Sequence, residues 1–183
     1  MKSLVEKQTK VFDDLKGSFG YTNIMQTPKI EKIVVSVGTG KRARTDAKFN
    51  PLVADRLAKI AGQKPVERGA KQSVAAFKIR TGDIVGYSVT LRGVRKQAFF
   101  DKLIHVAFPR TKDFRGINRS AVDSMGNLTI GMKDHSVFPE TTDEDIRDIF
   151  GLSATIVTTA KTRDEAMKYF EFLGVPFKEK VEK

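Results

Sequence analysis

The sequence has no cysteine and no tryptophan, and only two of its 183 residues are histidines. The absence of cysteine excludes disulfides, thiolate zinc sites and cysteine nucleophiles together, and it suits a reducing cytoplasm. Long apolar runs are also missing, since no stretch approaches the roughly 20 residues that span a bilayer. The first 20 residues alternate charged and apolar side chains, unlike a signal peptide. We therefore expect neither secretion nor membrane insertion.

Negative charge is scarce in the first two thirds of the chain. Residues 1–120 contain 25 basic and 10 acidic side chains, a net charge of +15, whereas residues 121–183 contain 8 and 12, a net charge of −4. A cationic surface binds polyanions because neutralised phosphates release condensed counterions. Charge alone therefore favours a nucleic acid or an anionic membrane as partner. It also leaves open a basic protein that has no polyanionic partner.

Hydrophobic residues make up 40% of the sequence and charged residues 30%, which is enough apolar material for a core. At this length we expect a single folded domain over residues 1–183, basic over 1–120 and mildly acidic over 121–183. Two tightly packed lobes remain possible.

Hydrophobic periodicity and turn residues predict an intermixed set of helices and strands. The middle of the chain is typical of an antiparallel meander, because its strands follow one another without intervening helices. This favours an α+β fold, a mainly antiparallel sheet with helices on one face in a two-layer sandwich. The predicted helices cover residues 4–17, 50–62, 94–108, 142–150 and 162–173; the predicted strands cover 33–37, 64–68, 73–80, 84–92, 128–132 and 154–160, with an exposed basic loop over 110–127.

The segment Gly38-Thr39-Gly40-Lys41-Arg42 has the composition of a phosphate-binding loop but not its spacing. A P-loop needs a glycine five positions before its second glycine, where Val35 stands, and a hydroxyl residue after the lysine, where Arg42 stands. Nucleotide hydrolysis is therefore not indicated. The backbone amides of this segment could still contact an RNA phosphate.

Candidate catalytic and metal-binding residues do not form a functional pattern. His105 and His135 have no partner at metal-ligand spacing, and a triad built from the adjacent residues Asp134-His135-Ser136 could not easily reach the required geometry. The acidic residues between Glu140 and Asp148 lack the glycine and alternating ligands of an EF-hand loop. We interpret them as a solvated helix start or a docking face for a basic protein. No catalytic residue, metal site or cofactor is predicted.

The most informative stretch is Gly62–Gly93, where basic, amide and hydroxyl residues alternate with apolar ones. If residues 73–80 form a strand, Lys78 and Arg80 share one face, opposite Phe77 and Ile79. Such a sheet could present phosphate- and base-binding groups on a rigid surface. The pattern predicts an RNA-binding face, and an ordinary solvated sheet face is the alternative.

Several blocks of this sequence together resemble the family of large-subunit ribosomal protein number five, the bacterial-type 5S-rRNA binder. Any one block would be unspecific, but their order and number are specific, and they cover nearly the whole chain. The blocks are Asn23–Ile33, Gly62–Pro65, Ala70–Arg80, Val89–Gly93, Phe108–Gly116, Phe138–Glu140, Thr158–Lys161 and Val175–Phe177.

The resemblance implies a structural, non-enzymatic protein of the cytoplasmic ribosome that attaches 5S rRNA to the central protuberance. The implied partners are 5S rRNA, large-subunit rRNA, P-site tRNA, neighbouring proteins of the central protuberance and a small-subunit head protein across a bridge. Carried over by position, the 5S-rRNA face comprises Asn23, Met25, Gln26, Lys29, Gln63, Lys64, Thr90 and Arg92. A protruding loop over Lys71–Gly82 implies tRNA contacts by Lys71, Gln72, Ser73, Lys78, Arg80 and Gly82. The intersubunit contact comprises Arg110, Lys112, Arg115, Arg119, Asp143 and Asp145.

The sequence departs from the family pattern at Gln72, where a further basic residue is expected, and at Ala76, where glycine is expected. Two other functions fit the sequence less well. An enzyme acting on RNA or nucleotides would need a metal cluster or a paired nucleophile and base, and the sequence shows neither pattern. A protein that binds acidic membranes would need a helix with one basic and one apolar face, whereas the basic residues here lie mostly on predicted strands and loops.

Overall fold

The computed structural model describes residues 4–43, 45–46, 48–141 and 148–178. These residues form an α+β fold with a mainly antiparallel sheet, which confirms the predicted fold class. The strand order is β2-β3-β1-β5-β4. The strands are β1 (Ile30–Gly38), β2 (Val66–Gly69), β3 (Ile84–Leu91), β4 (Leu128–Met132) and β5 (Leu152–Thr158), and the longer helices are α1 (Leu4–Phe19), α2 (Phe49–Ala61), α3 (Gly93–Lys102) and α4 (Arg163–Leu173).

The chain forms two compact units. The first unit comprises Met1–Ile33, Arg92–Ile130 and Thr155–Lys183, and the second comprises Val34–Leu91 and Gly131–Ala154. A single domain over the whole chain stays a prediction.

In the first unit, α1 packs against α3 and α4. Two side chains complete the ends of these helices, where backbone groups have no partner within the helix. The Asp101 carboxylate accepts a hydrogen bond from the Leu4 backbone N–H at 3.0 Å, and the Lys7 ammonium donates to the Leu173 carbonyl. The interior of this unit includes the buried side chains of Leu4, Val11, Leu15, Phe99, Phe100, Leu103, Tyr169 and Phe170.

Thr162 caps the start of α4, in agreement with a predicted helix that begins at this residue. Thr162 Oγ1 accepts from the Glu165 N–H at 3.3 Å, and the buried Glu165 carboxylate accepts from the Lys161 N–H at 2.7 Å. The same carboxylate accepts a hydrogen bond from the Tyr21 hydroxyl. Burial and this neighbouring carboxylate raise the pKa of Tyr21 above its ordinary value.

In the second unit, α2 packs on β3. Val53, Leu57 and Ile60 are buried along one side of α2, whereas Leu52 is half-buried. Gly62 adopts a left-handed conformation with φ of 63° and donates its N–H to the Ala58 carbonyl, which ends the helix as predicted.

A buried cation lies next to a buried histidine in the second unit. Arg56 and His135 are 5% and 2% exposed, and the His135 ring stacks on Phe150 with centroids 4.1 Å apart. Arg56 donates to the Asp148 carbonyl at 3.0 Å. Burial, and then the charge of Arg56, lower the pKa of His135. His135 is therefore a packed histidine.

Helix and strand ends account for several corrections. α1 continues through Gly17 to Phe19 and stops at Gly20, because packing of its apolar face outweighs the roughly 1 kcal/mol cost of an internal glycine. The helical path of α3 continues through a π-helical segment, Leu103–Ala107, and a last turn, Phe108–Arg110, which includes Pro109. Strand β5 lies two residues earlier than predicted. The predicted short helix that starts at Thr142 falls mainly outside the described residues.

Candidate nucleic-acid interface

The first group of predicted RNA-binding residues lies on a short 3₁₀ turn, Ile24–Gln26, in the first unit. Asn23 Oδ1 accepts from the Met25 N–H at 3.0 Å, while Gln26 Oε1 accepts from the Thr22 and Asn23 N–H groups at 2.9 and 3.4 Å. These bonds form a capping box. The turn is thus held by the side chains that were predicted to bind RNA, and only their oxygens are used in doing so.

The turn also presents apolar and cationic groups at the surface. Ile24 and Met25 are large exposed hydrophobic residues, and Met25 is 74% exposed. Lys29 is exposed, its Nζ lies 3.6 Å from Met25 Sδ, and its backbone N–H donates to Thr159 Oγ1 at 2.9 Å. A cation beside exposed apolar surface, on an ordered backbone, suits contact with a phosphate and a neighbouring ribose or base.

A second group lies in the second unit, where β2 pairs antiparallel with β3. Gln63 Nε2 donates to the Thr90 carbonyl at 3.4 Å, so the structure brings these two predicted residues together, with the exposed Lys64 next to Gln63 in the chain. Arg92 is exposed and belongs to the first unit, immediately before α3. The predicted 5S-rRNA set is therefore divided between the units: Asn23, Met25, Gln26, Lys29 and Arg92 in one, and Gln63, Lys64 and Thr90 in the other.

The predicted strand over residues 73–80 is wrong. This segment belongs to an exposed loop between β2 and β3, with a 3₁₀ turn at Ala75–Phe77 and a single bridge between Val74 and Ile79. Alternation of Lys78 and Arg80 with Phe77 and Ile79 does not create two faces here, and Phe77 is 64% exposed. The reason is that strand-like periodicity indicates burial only when a neighbouring element covers one face, and residues 71–78 are all exposed.

We call residues 70–83 the hairpin loop. Its base is closed by backbone bonds from the Ala70 N–H to the Asp83 carbonyl at 2.9 Å and from the Gly82 N–H to the Ala70 carbonyl at 3.0 Å. Its tip is closed between Val74 and Ile79 at 2.9 and 3.2 Å. The predicted tRNA-contacting residues all lie in this loop, and each is exposed: Lys71, Gln72, Ser73, Lys78, Arg80 and Gly82.

Two amides of the glycine-rich segment after β1 are hydrogen-bonded within the fold. The Thr39 and Gly40 N–H groups both donate to the Val85 carbonyl, at 2.9 and 3.1 Å. These two amides join the end of β1 to β3, and a phosphate contact by the other amides of the segment stays a prediction.

The predicted basic segment after α3 is anchored at intervals within the first unit. The Phe114 ring stacks on Phe108 at 4.9 Å, and the Ile117 N–H donates to the Pro176 carbonyl at 2.8 Å. Of the predicted intersubunit residues, Arg110, Lys112 and Arg115 are exposed.

Arg119 is less exposed than these three residues, and its guanidinium pairs with the Glu171 carboxylate at 2.9 Å. It also lies over the Phe177 ring, 6.0 Å from the centroid. This engagement inside the unit leaves Arg119 less available to a partner. Asp143 and Asp145 lie outside the described residues.

Within the described residues, no group of three or more histidines, cysteines or acidic residues could hold a metal ion. No helix in the same part of the chain is long and apolar enough to cross a bilayer.

Sequence reasoning missed three residues, Ile24 in the first unit and Phe77 and Asp83 in the second. Phe77 was assigned to a buried row, and Ile24 was not singled out. Asp83, whose carboxylate accepts from the Arg80 N–H at 2.8 Å, was placed in a turn but not named as a site residue. Its position after Thr81-Gly82 is a turn signal that could have identified it.

Comparison with known proteins identifies the family. The model described as Ribosomal protein L5 matches residues 23–80, and the model for the C-terminus of the same ribosomal protein family matches residues 84–177. Proteins named large ribosomal subunit protein uL5 are similar over most of their length. The one from Natranaerobius thermophilus is 48% identical over 89% of this chain and 90% of its own. The one from Thermoanaerobacter sp. is 47% identical over 97% and 99%, and the one from Desulforamulus reducens is 44% identical over 92% of each chain.

These matches agree with the resemblance drawn from Asn23–Ile33, Gly62–Gly93 and the later blocks, and the chain therefore belongs to the ribosomal protein L5 family, whose members are structural, non-enzymatic proteins of the large ribosomal subunit.

Proposed function

We propose that this chain, a structural constituent of the large ribosomal subunit, binds 5S rRNA and helps to attach it to the central protuberance, beside large-subunit rRNA and neighbouring proteins. The observation that carries the proposal is the exposed turn at Asn23–Gln26, which is ordered by its own side chains and presents Met25 beside Lys29. A surface ordered before binding loses less conformational entropy in the complex, so more of the contact energy appears as affinity.

The proposed mechanism is rigid presentation of two kinds of group. Lys29, Lys64 and Arg92 supply affinity that depends on salt, because each phosphate contact releases counterions. The amide groups of Asn23 and Gln26 donate to base edges or sugar oxygens and set the register of the RNA. Gln63 and Thr90, joined through their own hydrogen bond, add a second contact region in the other unit.

A binding isotherm with 5S rRNA and with an unrelated structured RNA, taken at several salt concentrations, tests the proposal. We expect a preference for 5S rRNA that persists at physiological salt. Met25→Ala should weaken 5S binding about tenfold, since burying a methionine side chain contributes at most about 1.5–3 kcal/mol. Equal affinity for the two RNAs, with a steep salt dependence, would show that the chain binds RNA through its positive charge alone, without preference for 5S rRNA.

The matched control is Met125→Ala. Met125 is 69% exposed and belongs to the same unit, but it lies outside the predicted RNA face. It should leave affinity unchanged. If Met125→Ala and Met25→Ala weakened binding equally, the turn would not be the specific contact.

We propose further that the hairpin loop contacts P-site tRNA. The proposal is supported by an exposed aromatic ring, Phe77, close in the chain to the exposed cations Lys78 and Arg80. Aromatic rings at the tip of a cationic loop stack on unpaired bases, worth about 1–3 kcal/mol per base.

Ribosomes reconstituted with Phe77→Leu should lose P-site tRNA about five- to a hundredfold faster than the unmodified ribosome, because leucine keeps the apolar surface but not the π face. Phe77→Tyr is the matched control and should retain tRNA normally. Equal retention with leucine and phenylalanine would exclude stacking at this position.

The exposed cations Arg110, Lys112 and Arg115 are proposed to face a small-subunit head protein across an intersubunit bridge. Support comes from their common exposure on a segment that Phe114 and Ile117 anchor to the unit. Charged rims of this kind steer association and set register more than they add affinity.

A further inference from the structure

We propose that Ser73 and Asp83 are positioning residues, which hold the hairpin loop in the shape in which Lys71, Lys78 and Arg80 meet RNA. The inference rests on the proposed tRNA contact and divides the polar residues of the loop into two groups. One group binds the ligand, and the other fixes the backbone from which the binding side chains extend.

Ser73 fills a gap in the hydrogen bonding of the loop. Backbone bonds close the base at Ala70 and Asp83 and the tip at Val74 and Ile79. Between the base and the tip, the Thr81 N–H donates to Ser73 Oγ at 3.0 Å, and the two hydroxyls lie 3.0 Å apart. The Ser73 side chain thus takes the place of a backbone acceptor in an exposed segment.

Asp83 does the same for the strand-side arm of the loop. Its Oδ2 accepts from the Arg80 N–H at 2.8 Å, and its own N–H donates to the Arg80 carbonyl at 3.1 Å. These two bonds define a tight turn that fixes the backbone of Arg80. A carboxylate this close to RNA-binding cations would weaken affinity if only charge mattered, so its presence points to positioning.

The two explanations of Asp83 predict opposite changes in tRNA binding when its carboxylate is removed. Removing a negative charge from a polyanion-binding loop should tighten binding if electrostatics decide. If Asp83 positions Arg80, Asp83→Ala should weaken retention of P-site tRNA by reconstituted ribosomes, by about three- to tenfold. Asp83→Asn is the matched control, because it removes the charge but keeps an oxygen acceptor; it should retain tRNA at least as well as the original chain.

Ser73 provides an independent pair of variants. Ser73→Ala should weaken tRNA retention by a similar factor, and Ser73→Thr should rescue it, because threonine keeps the hydroxyl that accepts from Thr81. Failure of threonine to rescue, or tighter binding by Asp83→Ala, would overturn the inference.

Amide hydrogen exchange of the free full-length chain separates this inference from the proposed tRNA contact. We expect faster exchange at Thr81 in Ser73→Ala and at Arg80 in Asp83→Ala, whether or not RNA binds. Unchanged exchange in both variants would overturn the positioning role. Faster exchange, together with tRNA retention that no substitution of Lys71, Lys78 or Arg80 alters, would support the positioning role and refute the tRNA contact.

Discussion

The turn at Asn23–Gln26 and the hairpin loop are both exposed and both ordered by side chains, yet they are ordered in different ways. In the turn, Asn23 and Gln26 hold the backbone and are also predicted RNA contacts. In the loop, Asp83 and Ser73, the latter also a predicted tRNA contact, accept hydrogen bonds from the backbone, whereas the contacts proposed above come from the cations and Phe77.

This difference determines what a mutation can reveal. A substitution in the turn changes shape and contact together unless it keeps the acceptor oxygen. A substitution in the loop can change shape alone or contact alone. Exposed polar residues of one type therefore cannot be assigned one role from sequence, because the role depends on which backbone N–H each oxygen accepts.

The largest predicted loss of stability comes from a substitution in β3, the strand that follows the hairpin loop. Gly86 lies on β3, and a Cβ at this position would come within 2.5 Å of the Val37 carbonyl oxygen. Gly86→Ala should lower the free energy of unfolding by about 1–3 kcal/mol, because the backbone must shift to accommodate it. Urea denaturation measures this effect.

Gly131→Ala is the control for Gly86→Ala, since Gly131 is also a strand glycine and a Cβ there would meet nothing within 4 Å. It should be neutral or slightly stabilising. Equal loss of stability in the two variants would attribute the effect to strand glycines in general and not to the close approach of β3 and β1.

Two substitutions of Gln26 have smaller effects and test whether this residue both holds the turn and contacts RNA. Gln26→Ala removes the acceptor for the Thr22 and Asn23 N–H groups and should destabilise the protein by about 1 kcal/mol while weakening 5S rRNA binding. Gln26→Glu keeps an acceptor and adds a negative charge, so thermal unfolding should be nearly unchanged although RNA binding weakens. Wild-type RNA affinity in Gln26→Glu would show that this side chain only holds the turn.

The smallest predicted effect is a pH dependence of the free energy of unfolding. It comes from the buried His135, which belongs to the same unit as the hairpin loop. Its pKa is lowered by burial, so the folded state resists a proton that the unfolded state binds below about pH 6.5. Stability is therefore complete above that pH and is lost as pH falls towards the folded pKa, by a fraction of the roughly 1.4 kcal/mol per pH unit that one proton allows.

Denaturation of His135→Gln between pH 7.5 and 5 should show a shallower dependence of stability on pH than the original chain. The matched control replaces the other histidine, His105→Gln, which is half-buried in the π-helical segment. An equal change of slope in both variants would remove His135 as its source.

Elements with strong local signals could be predicted from the sequence. β1 alternates buried and less buried residues, α2 is capped by Gly62 at its end, and α4 is capped by Thr162 at its start. The strand predicted over residues 73–80 was wrong because the alternating pattern is local, whereas burial depends on a covering element that the sequence does not reveal. The predicted end of the third helix at Phe108 was wrong for a related reason, since packing can maintain a helix beyond a residue that lacks an N–H.

The sequence by itself determined the excess of positive charge, the absence of cysteine chemistry, the main elements of the α+β fold and, through ordered blocks of residues, membership of the ribosomal L5 family. Only the tertiary structure decided that Phe77 is exposed, that Arg119 pairs with Glu171, that the amides of Thr39 and Gly40 are occupied, and that Asp83 accepts from Arg80. Composition and periodicity depend on neighbours in the chain, whereas exposure and hydrogen-bond partners depend on which distant or turn-related atoms the folded backbone brings within about 3 Å.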